Sequence, residues 1–322
     1  MWREQIDGSI RDVRDAAQRL RLPPRVESGM ARAATRYPIL VTPYYFGLID
    51  PENPRDPIRR MVLPSPAELW HGRDEIADPL EECRFCPASG LIHKYRNRVL
   101  ILVTSVCAVH CRFCFRAHSG VTPSDGLSAA QFDRILGYIR KRRGIQEVIL
   151  SGGDPLMMDD EELGVLIDLI SGIDHVEVIR IHTRMPAVLP QRLTAGLAGI
   201  LRRGKPVWVV AHFNHAVEMT GEAERGCAVL IDAGIPMLNQ AVLLRGVNDS
   251  TRALMDLSGA LVRNRIKPYY LHQLDKVAGA GHFAVDDMNA RIMVSELAEK
   301  VSGYAVPTLV REIPGRSCKT VL

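Results

Sequence analysis

The sequence predicts an α/β fold in which a parallel sheet is covered by helices. Three observations carry that expectation. From about residue 99 onward, short continuous runs of apolar, β-branched residues alternate with amphipathic stretches of helical period. That is the pattern of buried parallel strands joined by helical crossovers. The connections between them are short, which suits either a partial barrel or a doubly wound sheet. Finally, the residues directly after the apolar runs are rich in cysteine, histidine, glycine, amide and carboxylate side chains. Ligands bind at those C-terminal strand ends in both architectures.

Residues 1 to about 36 read as two short helices broken by Pro23-Pro24, because proline removes a donor and clashes with the preceding turn. Residues 37–98 carry Pro38, Pro43, Pro51, Pro54, Pro57, Pro64, Pro66, Pro79 and Pro87. They suggest an irregular segment with short helices that packs on something larger. Strands are expected at 99–104, 147–151, 176–182, 207–212, 238–244 and 267–274. Helices are expected at 128–143, 159–171, 190–203, 221–233 and 250–264, with a last helix at 286–301 and a strand at 306–310. This divides the chain into an N-terminal helical and irregular extension, 1–98, and a barrel-like unit, 99–322.

Composition narrows the function classes. In 322 residues, 47% are hydrophobic and 24% charged, enough apolar material for a sizeable core and too much for a disordered chain. No apolar run approaches the roughly 18 residues that cross a bilayer. The formal charge of +4 is mild and dispersed, which argues against a nucleic-acid binder and permits small anionic ligands. The first residues contain no apolar signal core, and Glu4, Asp7, Asp12 and Asp15 interrupt the positive charge that a transit peptide needs. Seven cysteines, an odd number with three crowded between 107 and 114, do not read as a disulfide framework. They read as reduced thiolates, and the expected compartment is the cytoplasm.

The crowded cysteines follow the first expected barrel strand as Cys107-x3-Cys111-x2-Cys114. Thiolates are soft donors suited to iron–sulfur clusters, zinc or copper(I). Three ligands leave one metal position open for substrate, where closed sites take four. A zinc loop completed by His110 is the plainer alternative. Ser151-Gly152-Gly153-Asp154-Pro155 follows the next strand: two glycines allow close backbone approach to a ligand, and Asp154 can accept from an ammonium group. His212 and Gln240 are further polar residues at strand ends, positions where a histidine is often only structural.

With Phe113 before the last cysteine, this triplet resembles the signature of the radical S-adenosylmethionine superfamily, and Ser151–Asp154 resembles its methionine-contacting segment. In that superfamily the open iron of a [4Fe–4S] cluster chelates S-adenosylmethionine, which is then cleaved to a 5′-deoxyadenosyl radical. Over nearly its whole length the chain resembles lysine 2,3-aminomutases, through Pro43-Tyr44-Tyr45, Gly90–Tyr95, His212–His215, Asn239–Gly246, Pro268–Tyr270, Gly281–Phe283 and Ser302–Tyr304. Tyr270–Lys276 and the lack of a long C-terminal tail look most like the short subgroup that makes (R)-β-lysine for elongation factor P.

That resemblance implies an incomplete (β/α)6 TIM-like barrel of the radical S-adenosylmethionine type with an N-terminal helical extension. It implies an isomerase that interconverts L-α-lysine and β-lysine by a 1,2-amino shift, with pyridoxal 5′-phosphate as third cofactor. Lys319 matches the cofactor-carrying lysine, though Arg316, Ser317 and Cys318 replace the family's usual glycines. Lys94, Tyr95 and Arg98 match positions that hold the cofactor phosphate. His212 and Gln240 stand with Ser151, Gly152, Gly153 and Asp154 on the cofactor side. Arg116 matches the clamp on the substrate carboxylate; Asp275 and Glu312 match two acids that hold its distal ammonium. An electron donor such as flavodoxin or ferredoxin is implied, and homo-oligomerisation stays open. The rival readings are a 2,3-aminomutase for another amino acid and a non-catalytic iron–sulfur protein. Cys83-x2-Cys86 reads as incidental thiols, and Cys227 as core.

Overall fold

The structure is a computed structural model, and it describes residues 2–70, 72, 75–122 and 126–322. The chain begins with five short helices: α1 (Trp2–Asp7), α2 (Val13–Arg19), α3 (Pro24–Ala34), α4 (Pro43–Phe46) and α5 (Pro57–Val62). Strands β1 (Leu91–Tyr95) and β2 (Arg98–Thr104) follow as an antiparallel pair. Then come α6 (Ala129–Arg140), β3 (Glu147–Gly152), α7 (Asp160–Ser171), β4 (Val178–Thr183), α8 (Met185–Val188) and α9 (Ala195–Leu201). The rest is β5 (Val207–Ala211), α10 (Gly221–Asp232), β6 (Met237–Val242), α11 (Thr251–Arg263), β7 (Lys267–His272), α12 (Asp287–Lys300), β8 (Thr308–Arg311) and β9 (Thr320–Val321).

All nine strands lie in one sheet in chain order. Strands β2 to β8 are parallel, with a helical crossover in each of the six intervals. β9 closes the far edge antiparallel to β8, through Val310↔Val321 and Arg311↔Thr320. Among the described residues no pairing joins β9 back to β1, so the sheet stays open, as expected of an incomplete six-unit barrel. Neighbouring strand residues such as Ile101 and Leu102, or Val209 and Val210, are both fully buried although they point to opposite faces. Both faces are covered, which is why the strands read as unbroken apolar runs. The helices start where short polar side chains can cap free N–H groups: Ser128, Thr194, Thr220, Ser250 and Asp286 each accept from the backbone of the first turn.

Three departures from the expected elements have local causes. The first 36 residues form three helices, because Ile10 pairs with Val41 and pulls the chain out of helix between Asp7 and Val13. β1 extends the sheet from within the segment expected to be irregular. Five residues joined to β2 across a two-residue turn leave too short a pattern to stand out among prolines. The expected helix 190–203 splits into a 3-10 turn, Pro190–Arg192, and α9, which Thr194 caps.

The extension shares the hydrophobic core of the barrel: Ile10, Tyr45, Ile58 and Met61 pack in one cluster with Phe113, Met185 and Val188. It also grips the cysteine loop directly. The backbone N–H of His110 donates to Leu40 O at 2.8 Å, and that of Arg112 to Met61 O at 2.8 Å. The buried Arg112 guanidinium reaches Tyr37 O at 2.9 Å, Pro38 O at 3.1 Å and the Glu68 carboxylate at 3.0 Å. No helix among the described residues is long and apolar enough to cross a membrane.

Candidate active site

A cavity of about 290 Å³ opens at the C-terminal ends of the parallel strands, and every expected site residue lines it. Cys107, Cys111 and Cys114 stand on the loop after β2 as free thiols. Burial pushes all three thiols up, Cys114 to about 11; Cys107 is pushed further by Cys114 and Cys111, and Cys114 by Cys111, while Arg184 pulls Cys111 down. Three thiolates crowded into a dry wall repel one another, a situation that bound iron relieves. Among the described residues no three such side chains converge on a point able to hold a single ion. A [4Fe–4S] cluster does not ask for that, because each cysteine binds a different iron. The donor set fits the cluster better than the zinc alternative. His110 is turned away, its ring Nδ1 meeting Pro38 O at 2.9 Å.

Ser151 to Asp154 lines the same wall, but for a different reason than the sequence suggests. The two glycines admit neighbouring backbone. A Cβ on Gly152, whose φ is 122°, would sit 2.4 Å from Thr104 O; one on Gly153 would sit 2.2 Å from Val106 O. The loop lies flat on the chain leading into the cysteines, with Gly153 N donating to Thr104 O at 2.6 Å and Asp154 N to Val106 O at 2.8 Å. Asp154, expected to receive an ammonium group, is engaged by the protein. It accepts from Leu156 N at 3.0 Å, Thr183 Oγ1 at 2.7 Å and Arg184 N at 2.7 Å, which ties the end of β3 to the end of β4.

Across the cavity the charged residues meet one another. The Glu312 carboxylate, at the end of β8, accepts from Lys94 on β1, from Tyr95 Oη at 2.6 Å and from Lys319 Nζ at 2.5 Å. Burial pushes this carboxyl up, yet Lys319 and the other two donors hold it down to about 2. The expected phosphate-holding pair is therefore already gripping an anionic oxygen. That is the donor chemistry a phosphate needs, so the residues fit pyridoxal phosphate. Arg98 stacks over the Tyr95 ring at 4.2 Å. Lys319 itself, a quarter exposed, is fixed by the pairing of β9 with β8 immediately after it. Asp275, after β7, is pushed up to about 7 by burial, against the pull of Lys319 and with the help of Glu312. The two acids expected to share an ammonium group thus stand differently: Glu312 is a counter-ion already, and Asp275 is held reluctantly charged.

Between these halves lies Arg116. Its guanidinium is gripped bidentately by Glu82, Nε at 2.8 Å and Nη2 at 2.7 Å, and its Nη1 donates to Ser151 Oγ at 3.2 Å. His212 Nε2 donates to Asn214 Oδ1 at 3.1 Å, and its ring packs near Phe113. Gln240 reaches His182 Nδ1 at 3.5 Å.

Several lining residues were not assigned from sequence. His182, Arg184 and His272 occupy strand ends, the signal that could have found them. Arg184 is buried, donating to Glu218 at 2.6 Å and lying 3.5 Å from Cys111 Sγ. His272 is pushed down to about 3 by burial and by Lys319, so it stays neutral. Glu82 opens a short 3-10 helix, Glu82–Phe85, and carries no sequence signal. Cys227 is buried in α10 as expected, while Cys83 and Cys318 are exposed.

Comparisons with known proteins agree with this geometry. Residues 101–257 match the family model of the Radical SAM superfamily. The chain is 40% identical to the L-lysine 2,3-aminomutase of Clostridium subterminale over 99% of its own length and 77% of that protein. It is 40% identical to the L-lysine 2,3-aminomutase of Escherichia coli (strain K12), over 100% of this chain and 94% of that one. Among solved structures, Streptococcus suis SuiB bound to S-adenosylmethionine superposes with a TM-score of 0.52 at 14% identity, covering 70% of this chain and 52% of SuiB. A radical SAM methyltransferase from Sphaerobacter thermophilus gives 0.51 at 18% identity, over 69% and 68% of the two chains. These two likenesses concern the fold.

Proposed function

From a chain that belongs to the L-lysine 2,3-aminomutase family and carries a radical S-adenosylmethionine domain, we infer an isomerase that moves the α-amino group of lysine to the neighbouring carbon. The observation that carries the reading is one cavity into which three thiols, Lys319, Arg116 and the acids Asp275 and Glu312 all open. When bound, cluster and S-adenosylmethionine would supply the radical and pyridoxal phosphate the carbonyl that carries the migrating amine; the protein supplies position and dryness.

Cys107, Cys111 and Cys114 would ligate the cluster. Ser151, Gly152, Gly153, His212 and Gln240 would shape the pocket for S-adenosylmethionine, with Asp154 as the brace behind them. Lys94, Tyr95 and Arg98 would take the cofactor phosphate, and Lys319 the cofactor itself. When a phosphate meets Lys94 and Tyr95, Glu312 loses two of its three donors and becomes available to a substrate cation. Arg116 would hold the α-carboxylate and Asp275, with Glu312, the distal ammonium. Fixing both ends of an extended diamino acid would leave its middle carbons inside the cavity that the thiols and Lys319 line. The buried neutral His182 and His272 add no competing charge or acid there.

The finer readings go with this. The product is assigned as (R)-β-lysine destined for elongation factor P, from the resemblance of Tyr270–Lys276 to the short subgroup. The compartment is assigned as cytoplasm, from the reduced thiols, and the electron donor as a flavodoxin or ferredoxin.

The test is anaerobic reconstitution with iron, sulfide, pyridoxal phosphate, S-adenosylmethionine and reductant. Lysine, ornithine, arginine and glutamate are then offered side by side, and the products identified by chiral chromatography. Lysine is expected to be converted, to the R isomer of β-lysine. A preference for glutamate would remove the roles of Asp275 and Glu312, since a distal carboxylate would face two acids.

A further inference from the structure

We propose that Glu82 is the positioning residue for Arg116. It grips the Nε–Nη2 edge of the guanidinium and leaves the Nη1–Nη2 end, beside Ser151 Oγ, as the face that receives the substrate α-carboxylate. The proposal rests on the reading of Arg116 as the carboxylate clamp.

A carboxylate facing a residue meant to bind a carboxylate invites the opposite interpretation, that Glu82 is a stand-in which substrate displaces. The geometry points away from it. The Glu82 and Arg116 side chains are only 8% and 11% exposed. Both Glu82 oxygens are on Arg116, and no other side-chain partner for them is found among the described residues. Displacing the carboxylate would strand a buried charge away from its cation.

The backbone also forbids an easy exit. Glu81 turns the chain in the left-handed region, at φ 51°. The Asp78 carboxylate then accepts from Glu82 N at 3.0 Å and from Cys83 N at 3.1 Å, and Cys86 Sγ donates to Glu82 O at 3.2 Å. Glu82 is delivered on a turn pinned before and after it.

The consequence is directional. An arginine offers two paired donor edges, and the side edge is the one used up here. Nη1 already points to Ser151 Oγ, so an incoming carboxylate meets the end of the fork with a hydroxyl alongside. Because Glu82 also offsets the charge of Arg116, recognition there depends on hydrogen-bond direction more than on net attraction.

The experiment compares holoenzymes of the wild type, Glu82→Gln, Glu82→Asp, Arg116→Lys and the Glu82→Gln/Arg116→Lys pair. Labelled L-lysine and labelled 1,5-diaminopentane, which lacks the carboxylate, are bound by equilibrium dialysis, and KM and kcat for lysine are measured separately. Glu82→Gln is expected to weaken lysine about tenfold and leave diaminopentane within about twofold, with the loss in KM more than in kcat. Glu82→Asp, which keeps the charge but sets the fork back, should lose less. The pair should be no worse than Arg116→Lys alone. Unchanged or tighter lysine binding in Glu82→Gln overturns the proposal in favour of displacement. An equal fall for both ligands overturns it in favour of a purely structural role. If Arg116→Lys does not shift the ratio of the two ligands, the carboxylate reading of Arg116 fails first, and the proposal with it.

Discussion

The thiol wall and the lysine end of the cavity are built on different principles. The thiol wall is fixed from within the protein, by main-chain hydrogen bonds, apolar packing and the buried Arg112–Glu68 ion pair. Gly153 and Asp154 lie on the chain entering the cysteine loop, and Leu40 and Met61 of the extension hold the loop from behind. Its three cysteines fall within one short loop, Cys107–Cys114. The lysine end gathers Lys94 and Tyr95 from β1, Glu82 from the 3-10 turn Glu82–Phe85, Asp275 after β7, Glu312 after β8 and Lys319 before β9. Lys94, Tyr95 and Lys319 are held on Glu312 and Glu82 on Arg116, while Asp275 has no ion pair among the described residues. Backbone fixes a shape whatever the ligand; opposed charges hold a site together until a ligand offers better partners.

The strongest way to break this division is at Lys319. Lys319→Ala is expected to abolish the visible absorbance of bound pyridoxal phosphate and to leave iron and sulfide content near the wild-type level. Loss of both together, read by absorbance and iron analysis, would show that the two halves form one unit. The converse substitution is Gly153→Ala. A methyl group 2.2 Å from Val106 O cannot be accommodated without moving the cysteine loop. The expected cost is about 3 kcal/mol of stability, with poor cluster incorporation and intact pyridoxal phosphate binding, measured by denaturant titration and spectroscopy.

The same division explains what was legible in the sequence. The parallel sheet was readable because buried strands leave unbroken apolar runs, and the cysteine triplet because its spacing is local. The glycine pair has a cause the pattern does not show, since a sequence cannot tell close approach to a ligand from close approach to backbone. Asp154 looked like an open acceptor because its partners, Thr183 and Arg184, lie some thirty positions away across a strand pair. β1, β9 and Glu82 escaped altogether: two strands too short for periodicity, and a glutamate whose meaning comes from an arginine 34 residues further on. Lys319 and Glu312 emerged from family resemblance, which compares whole chains and so captures long-range partners that spacing does not.

The smallest expected effect sharpens the comparison most, because it asks whether the lysine end carries unrelieved charge. Asp275 has its carboxyl pushed up to about 7 in the folded chain against an ordinary value of 3.8, chiefly by burial. Between those values the folded protein keeps a proton that the unfolded chain gives up, so Asp275 withdraws stability as pH rises through that window. Asp275→Asn removes the penalty. The stabilisation it gives at pH 8 should exceed that at pH 5.5 by roughly 1–2 kcal/mol in denaturant titrations of the cofactor-free protein. Lysine affinity should move the other way: in the wild type it rises as pH passes about 7 and Asp275 ionises, and in the variant it is weak and flat. If Asp275→Asn destabilises the protein at pH 8, Asp275 has a partner that satisfies it in the absence of substrate. The lysine end would then be as preformed as the thiol wall, and the contrast between them would not hold.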